Sequence, residues 1–172
     1  MDLSAKPLTP RFDLETIVRQ LDLQPLEPEG GFFSRTFLSS QEQNFWMGNR
    51  SVVSSIYYLV TPDSYSLLHR LQSDEIYHFY LGDPLELHEV DSSQRHRKII
   101  LGQDLLEGQR PQAVIPAGSW QASRSLTSTH GYSLVGTTVA PGFDFRDFEL
   151  MRRTEFSRWP DDIREKLGAF IK

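Results

Sequence analysis

Short alternating segments, cut every few residues by turn chemistry, are the feature that most restricts what this chain can fold into. Phe32–Leu38, Val52–Val60, Tyr65–Leu71, Ile76–Leu81, Leu85–Val90, Lys98–Leu101, Gln112–Ile115, Gln121–Ser125 and Tyr132–Val139 all read as strands. Between them stand Thr61-Pro62-Asp63, Gly82-Asp83-Pro84, Asp91-Ser92-Ser93, Gly102-Gln103-Asp104, Pro116-Ala117-Gly118 and His130-Gly131. Such residues preset φ, accept positive φ or bond their own backbone. No long helix separates the strands, so they are expected to pair antiparallel in a sandwich or barrel. A polar loop is expected around Gln41 to Asn49. Two short helices flank this region. Asp13 caps a segment with Leu14, Ile17, Val18 and Leu21 on one face, ended by Pro25 and Pro28. The second starts near Trp159-Pro160, with proline at the first helical position, and runs through Ile163 and Leu167. The expectation is one all-β domain over residues 1–172, with a barrel over about 30–150 and helices over about 13–22 and 160–168, because no repeat, low-complexity tract or linker interrupts it.

A chain of 172 residues buries roughly 70% of its unfolded surface, enough for a core without staples. It has no cysteine, which excludes disulfides and thiolate metal sites and agrees with a reducing cytosol. The net charge of −5 argues against a nucleic-acid partner, since phosphate binding needs clustered Lys and Arg. Arg95-His96-Arg97-Lys98 follows a turn and reads as a solvated hairpin tip. The most apolar window, Val52–Val60, is broken by serines and too short to span a bilayer. The first twelve residues lack the apolar run of a secretory signal. A soluble, cytoplasmic protein without nucleic-acid or membrane partners is expected.

Strand alternation decides which side chains share a cavity. Leu67, His69 and Leu71 face one way on their strand, while Glu75, Tyr77 and Phe79 form one face of the next and Ile76, His78 and Tyr80 the other. If His69 and Glu75 meet in a cavity, Tyr77 joins them and His78 does not. Further on, Gln121, Ser123 and Ser125 share a face, and Trp120 points the other way, to pack between sheets or at a subunit contact. Phe32, Phe33 and Phe37 belong to the core or line a ligand cavity. Arg35 stands among them as a clamp for a carboxylate or phosphate if it faces inward, and as a surface charge if outward. Asp144, Asp147 and Glu149 alternate with aromatics, too sparse an oxygen array for calcium.

His69-Arg70-Leu71, Glu75 and Gly82 have the spacing of the first cupin motif, His-x-His followed by Glu and Gly, with leucine in place of the second histidine. Pro116-Ala-Gly118-Ser-Trp-Gln121 resembles the second, Pro-x-Gly-x-x-His, with glutamine in place of its histidine. With Pro28-Glu-Gly-Gly31, Ser73-Asp-Glu75, Gly82-Asp-Pro-Leu85 and Val139-Ala-Pro-Gly-Phe143, the chain resembles the cupin superfamily and, within it, the fifth cupin family, a domain-of-unknown-function branch. The resemblance implies a double-stranded β-helix jelly roll with an inner pocket and a tendency to homodimerise. Carried over, the family's metal ligands fall on His69, Glu75 and Gln121, an incomplete set, so no cofactor is expected beyond weakly held divalent metal. The expected function is binding of a small polar or anionic molecule by Arg35, His69, Glu75, Tyr77, Gln121 and Ser123. Two enzymatic alternatives accompany it: a weak-metal cupin enzyme on the incomplete set, and an epimerase- or isomerase-like one. Deoxysugar epimerases, which are distantly similar, imply for the latter His69 as base, Glu75 as its orienting group and Tyr77 as acid, an imidazole suiting proton transfer near neutral pH. Tyr77 is otherwise a barrel-wall aromatic with a bonded hydroxyl.

Overall fold

The computed structural model describes residues 12–46, 48–126 and 129–172. In chain order the strands are β1 (Gln24–Pro25), β2 (Phe32–Leu38), β3 (Glu42–Phe45), β4 (Gly48–Ser51), β5 (Ser54–Val60), β6 (Ser66–Arg70) and β7 (Asp74–Gly82). They continue as β8 (Leu85–Val90), β9 (His96–Leu101), β10 (Gln112–Ile115), β11 (Trp120–Ser125), β12 (Ser133–Ala140) and β13 (Glu149–Leu150). The helices are α1 (Leu14–Gln20), α2 (Arg153–Phe156) and α3 (Asp161–Leu167). One sheet runs β1-β2-β5-β12-β7-β10 and the other β13-β6-β11-β8-β9, with β3 and β4 as a separate hairpin. The paired strands are antiparallel, and most neighbours are distant in sequence, as when β12 inserts between β5 and β7. This is the expected all-β jelly roll.

The two sheets face each other over a core that includes Tyr58, Tyr77, Leu87, Leu101, Ile115 and Val135. Their outer faces are covered as well. Against the first sheet α1 sets Ile17 beside Leu59, Tyr132 and Leu134. Against the second, the C-terminal helices set Phe156, Trp159, Ile163 and Leu167 on Leu68, Val90 and Trp120. Strands β6 and β11 are therefore buried on both faces, which is why their residues lack a clean apolar and polar alternation. Trp120 lies outside the inter-sheet core: it meets Trp159 edge-on at 6.1 Å, with the Arg70 guanidinium 4.6 Å from its ring.

Local chemistry explains the ends. The Asp13 carboxylate accepts from Thr16 N–H at 2.7 Å and caps α1. Pro160 occupies the cap position before α3 rather than its first turn. Two elements differ from expectation. Where a polar loop was expected, Glu42–Phe45 and Gly48–Ser51 pair as the β3–β4 hairpin, through backbone bonds and an Asn49 side-chain bond to Glu42. Strand β9 begins at His96, because Arg97 pairs with Glu89 on β8, leaving Arg95 in the turn against Asp91. Among the described residues no helix is long and apolar enough to cross a membrane.

Candidate functional site

A cavity of about 90 Å³ opens between the sheets, walled by Glu29, Phe33, Arg35, Leu71, Glu75 and Phe143 among others. Each wall residue has a local reason to be there. Phe33 and Arg35 share the inner face of β2, two residues apart, opposite Tyr58 and Ile56 of β5. Arg35 therefore faces inward, at the exposed end of the cavity. Glu75 and Tyr77 share a face of β7, opposite Val139 and Thr137 of β12. His78 points to the other side, where it meets Gln112 at 3.4 Å.

Glu29 is delivered by a double-glycine turn. Gly30 N–H donates to Leu26 O at 2.7 Å, Leu26 N–H to Gly31 O at 3.0 Å, and Leu67 N–H to Glu29 O at 2.9 Å. Gly30 sits at φ +106°, and a Cβ there would lie 2.2 Å from the Tyr65 carbonyl oxygen. Only glycine lets this turn pass so close beneath the neighbouring backbone.

Phe143 and Phe145 come from the segment after β12. That segment is pinned to β4 and β5: Gly142 N–H donates to Ser51 O at 2.8 Å and Phe143 N–H to Ser54 Oγ at 2.9 Å. The buried Arg50 guanidinium holds Asp144 at 2.7 Å and Asp147 at 2.8 Å. Phe143, Phe145 and Phe148 then pack edge to face.

Behind the wall runs a buried polar network. His69 and Gln121 are direct cross-strand partners on β6 and β11. The His69 Nδ1 lies 2.8 Å from Leu67 O, a group that only accepts, so Nδ1 carries the hydrogen there and Nε2 is left facing Glu29 Oε1 at 4.0 Å. Its ring stacks on Phe148 at 5.1 Å. Ser66 donates to the same Glu29 oxygen at 3.0 Å. Gln121 donates from Nε2 to Glu75 Oε2 at 2.7 Å and accepts from the Tyr77 hydroxyl at 3.0 Å. Ser123 Oγ is buried without a hydrogen-bond partner among the described residues.

Burial, and next the Glu29 carboxylate, push the Glu75 carboxyl above its ordinary range, against the opposing pull of His69, Gln121 and Thr137. Burial, and next the carboxylates, also push the Tyr58 and Tyr77 hydroxyls well above the usual phenol value. Both phenols stay neutral at physiological pH.

The structure thus separates the expected site residues into two groups. Arg35 and Glu75 line the cavity, whereas His69, Tyr77, Gln121 and Ser123 are not among its lining residues. Glu29, rather than Glu75, stands within ion-pair distance of His69, while Glu75 bonds to Gln121 and feels His69 from farther off. Glu29, Tyr58, Thr137, Phe143 and Phe145 are lining residues that the sequence reading did not name as site residues, although Glu29 and Phe143 fall in its family-matching segments. The usable signal for Glu29 was an acidic residue directly before two glycines at the entry to the first long strand.

A metal does not fit this donor set. Leu71 offers only hydrocarbon, both ends of the Gln121 amide are engaged, and His69 has one nitrogen tied to a carbonyl. Among the described residues no three His, Cys, Asp or Glu side chains are placed to hold an ion.

Comparison with known proteins places this geometry. A family model described as "Cupin superfamily (DUF985)" matches residues 15–151. A hypothetical protein from Leishmania major has a solved structure similar to this one, with TM-score 0.87 and 31% identity, covering 93% of this chain and 99% of its own. A crystal structure from Shewanella oneidensis matches with TM-score 0.84 and 29% identity over 94% of this chain and 98% of that one. An uncharacterized protein of Saccharomyces cerevisiae is 29% identical over 138 residues, 72% of this chain and 68% of the yeast protein. Oxalate decarboxylase from Bacillus subtilis shares the fold alone, with TM-score 0.56 and 14% identity over 86% of this chain and 35% of that one.

Proposed function

The chain belongs to the cupin superfamily, in its DUF985 family, and from that premise we propose that it binds a small polar molecule in the cavity between its sheets. One observation carries the reading: a largely apolar cavity holds a few charged side chains, the composition of a small-molecule site. At roughly 10–15 Å³ per water-sized position, about 90 Å³ suits a guest of about six to nine non-hydrogen atoms. A whole sugar nucleotide is several times larger.

An epimerase-like reading with His69 as base has less support. Tyr77, its acid, donates to Gln121 behind the wall, and burial makes the phenol a weaker acid still. The homodimer is proposed from the family resemblance and from the exposed Phe37 and Leu38 at the end of β2.

Native mass spectrometry of freshly purified protein tests the reading. The expected result is a retained small molecule that is lost when the cavity is filled by Ile56→Trp. A protein that retains nothing, and whose melting temperature no metabolite mixture raises in an Ile56→Trp-sensitive way, would overturn it. The same spectrum reports whether the subunit is paired.

A further inference from the structure

Resting on that binding reading, we propose that the guest is a small amino carboxylate, its ammonium group against Glu29 and Glu75 and its carboxylate against Arg35.

The carboxylates lining the cavity accept from neutral side chains but, among the described residues, have no lysine or arginine as counter-charge. Among the described residues neither Glu29 nor Glu75 is paired with a lysine or arginine, and His69 at 4.0 Å from Glu29 is the sole basic neighbour within ion-pair reach of either. Arg35 lines the same cavity and forms no ion pair among the described residues. Had the guanidinium and the carboxylates been within reach they would have neutralised each other. Instead the guanidinium and both carboxylates line one cavity without an ion pair between them. A guest with opposite charges at its two ends supplies both missing partners at once.

Burial orders the two ends. Glu75 is 6% exposed and the Glu29 side chain 12%, whereas Arg35 is exposed and Phe145, which lines the same cavity, is 59% exposed. The ammonium group therefore enters first and the carboxylate stays near water, where a planar guanidinium binds it through two parallel hydrogen bonds. Phe33, Ile56 and Phe143 line the same cavity and suit a short alkyl chain. A dicarboxylate would set its second anion against two carboxylates. A diamine would set its second cation against Arg35. The cavity discriminates against both by repulsion.

Proton linkage gives a second signature. An ammonium group beside Glu75 favours the ionised carboxyl, so binding releases a proton and affinity rises as pH increases toward neutrality. An anion docked at that end would show the reverse.

Isothermal titration calorimetry on the full chain tests the proposal with 4-aminobutyrate, 4-hydroxybutyrate, succinate and 1,4-diaminobutane, and with aminoalkanoates of two to six carbons as a length series. The best aminoalkanoate is expected to bind at least tenfold more tightly than the hydroxy acid, the dicarboxylate and the diamine, more tightly at pH 7.5 than at pH 5.5. Arg35→Gln, at an exposed position, should abolish its advantage over the diamine, and Glu29→Gln its advantage over the hydroxy acid. Equal or tighter binding of succinate or the diamine, or a preference untouched by Arg35→Gln, overturns the proposal. So does the absence of binding by the whole series. If native mass spectrometry still finds a retained molecule that Ile56→Trp expels, this inference alone falls and the binding reading stands.

Discussion

Glu75 holds its place against an electrostatic cost. Its carboxyl is buried beside Glu29, and its folded-state proton affinity is raised above that of the unfolded chain. The folded protein therefore keeps a proton that the unfolded one has lost. Stability is expected to fall as pH rises from the ordinary carboxylate value, near 4.5, through the raised one. Glu75→Gln, which cannot ionise, should flatten that part of a plot of urea midpoint against pH; an unchanged slope would refute the assignment. Residue types in this site were partly legible in the sequence. The spacing of His69 and Glu75 put both inside the sandwich, and period-two alternation correctly turned His78 outward. Alternation says nothing about loops, so Glu29, which approaches from a turn, was invisible to it. Nor does it show depth: Tyr77 and Gln121 face inward yet bond to each other, and Arg35 was decided only by the β2 register.

At the scale of elements, the cavity depends on a segment with little regular structure. Phe143 and Phe145 are positioned by the reach of Arg50 from the β3–β4 hairpin to Asp144 and Asp147. Arg146 and Arg50 hold the Asp144 carboxyl well below the usual carboxylate range. Arg50 is 5% exposed, so Arg50→Ala leaves the buried Asp147 carboxylate without its cation, while the more exposed Asp144 keeps Arg146. A loss of about 3–5 kcal/mol is expected, the range for breaking a buried pair from one side, and chemical denaturation would measure it. A change below 1 kcal/mol would mean that the aromatic cluster holds the segment without the pair. The hairpin itself read as a loop because its strands carry charged and amide side chains with no apolar face to bury. Strands such as β5 and β12, with apolar residues toward both cores, were plain, and the sites of most turns followed from proline, glycine and aspartate.

For the whole molecule, pH acts at the junction of the second sheet and its helical cover. His88 and His96 touch at 2.9 Å beneath Phe170, whose ring lies 5.3 Å from His88. Burial lowers the affinity of His88 for a proton, despite Glu86 at 2.6 Å and with Lys98 and Arg124 adding to the effect. Burial, then His88 and Lys166, lowers that of His96, with Asp162 opposing. Stability from this pair is complete above the ordinary histidine value, near 6.5, and is lost as pH falls through the lowered values. The denaturation midpoint should fall between about pH 7 and about pH 5, and less so in His96→Gln; a midpoint insensitive to that substitution would exclude the pair as its source. The helical cover also bears on how the molecule comes into being. Synthesis proceeds from the N-terminus, so β6, β8 and β11 emerge before Phe156, Ile163 and Leu167 exist to shelter Leu68, Val90 and Trp120. Until α3 has been made, the outer side of that sheet has nothing to bury its apolar side chains against.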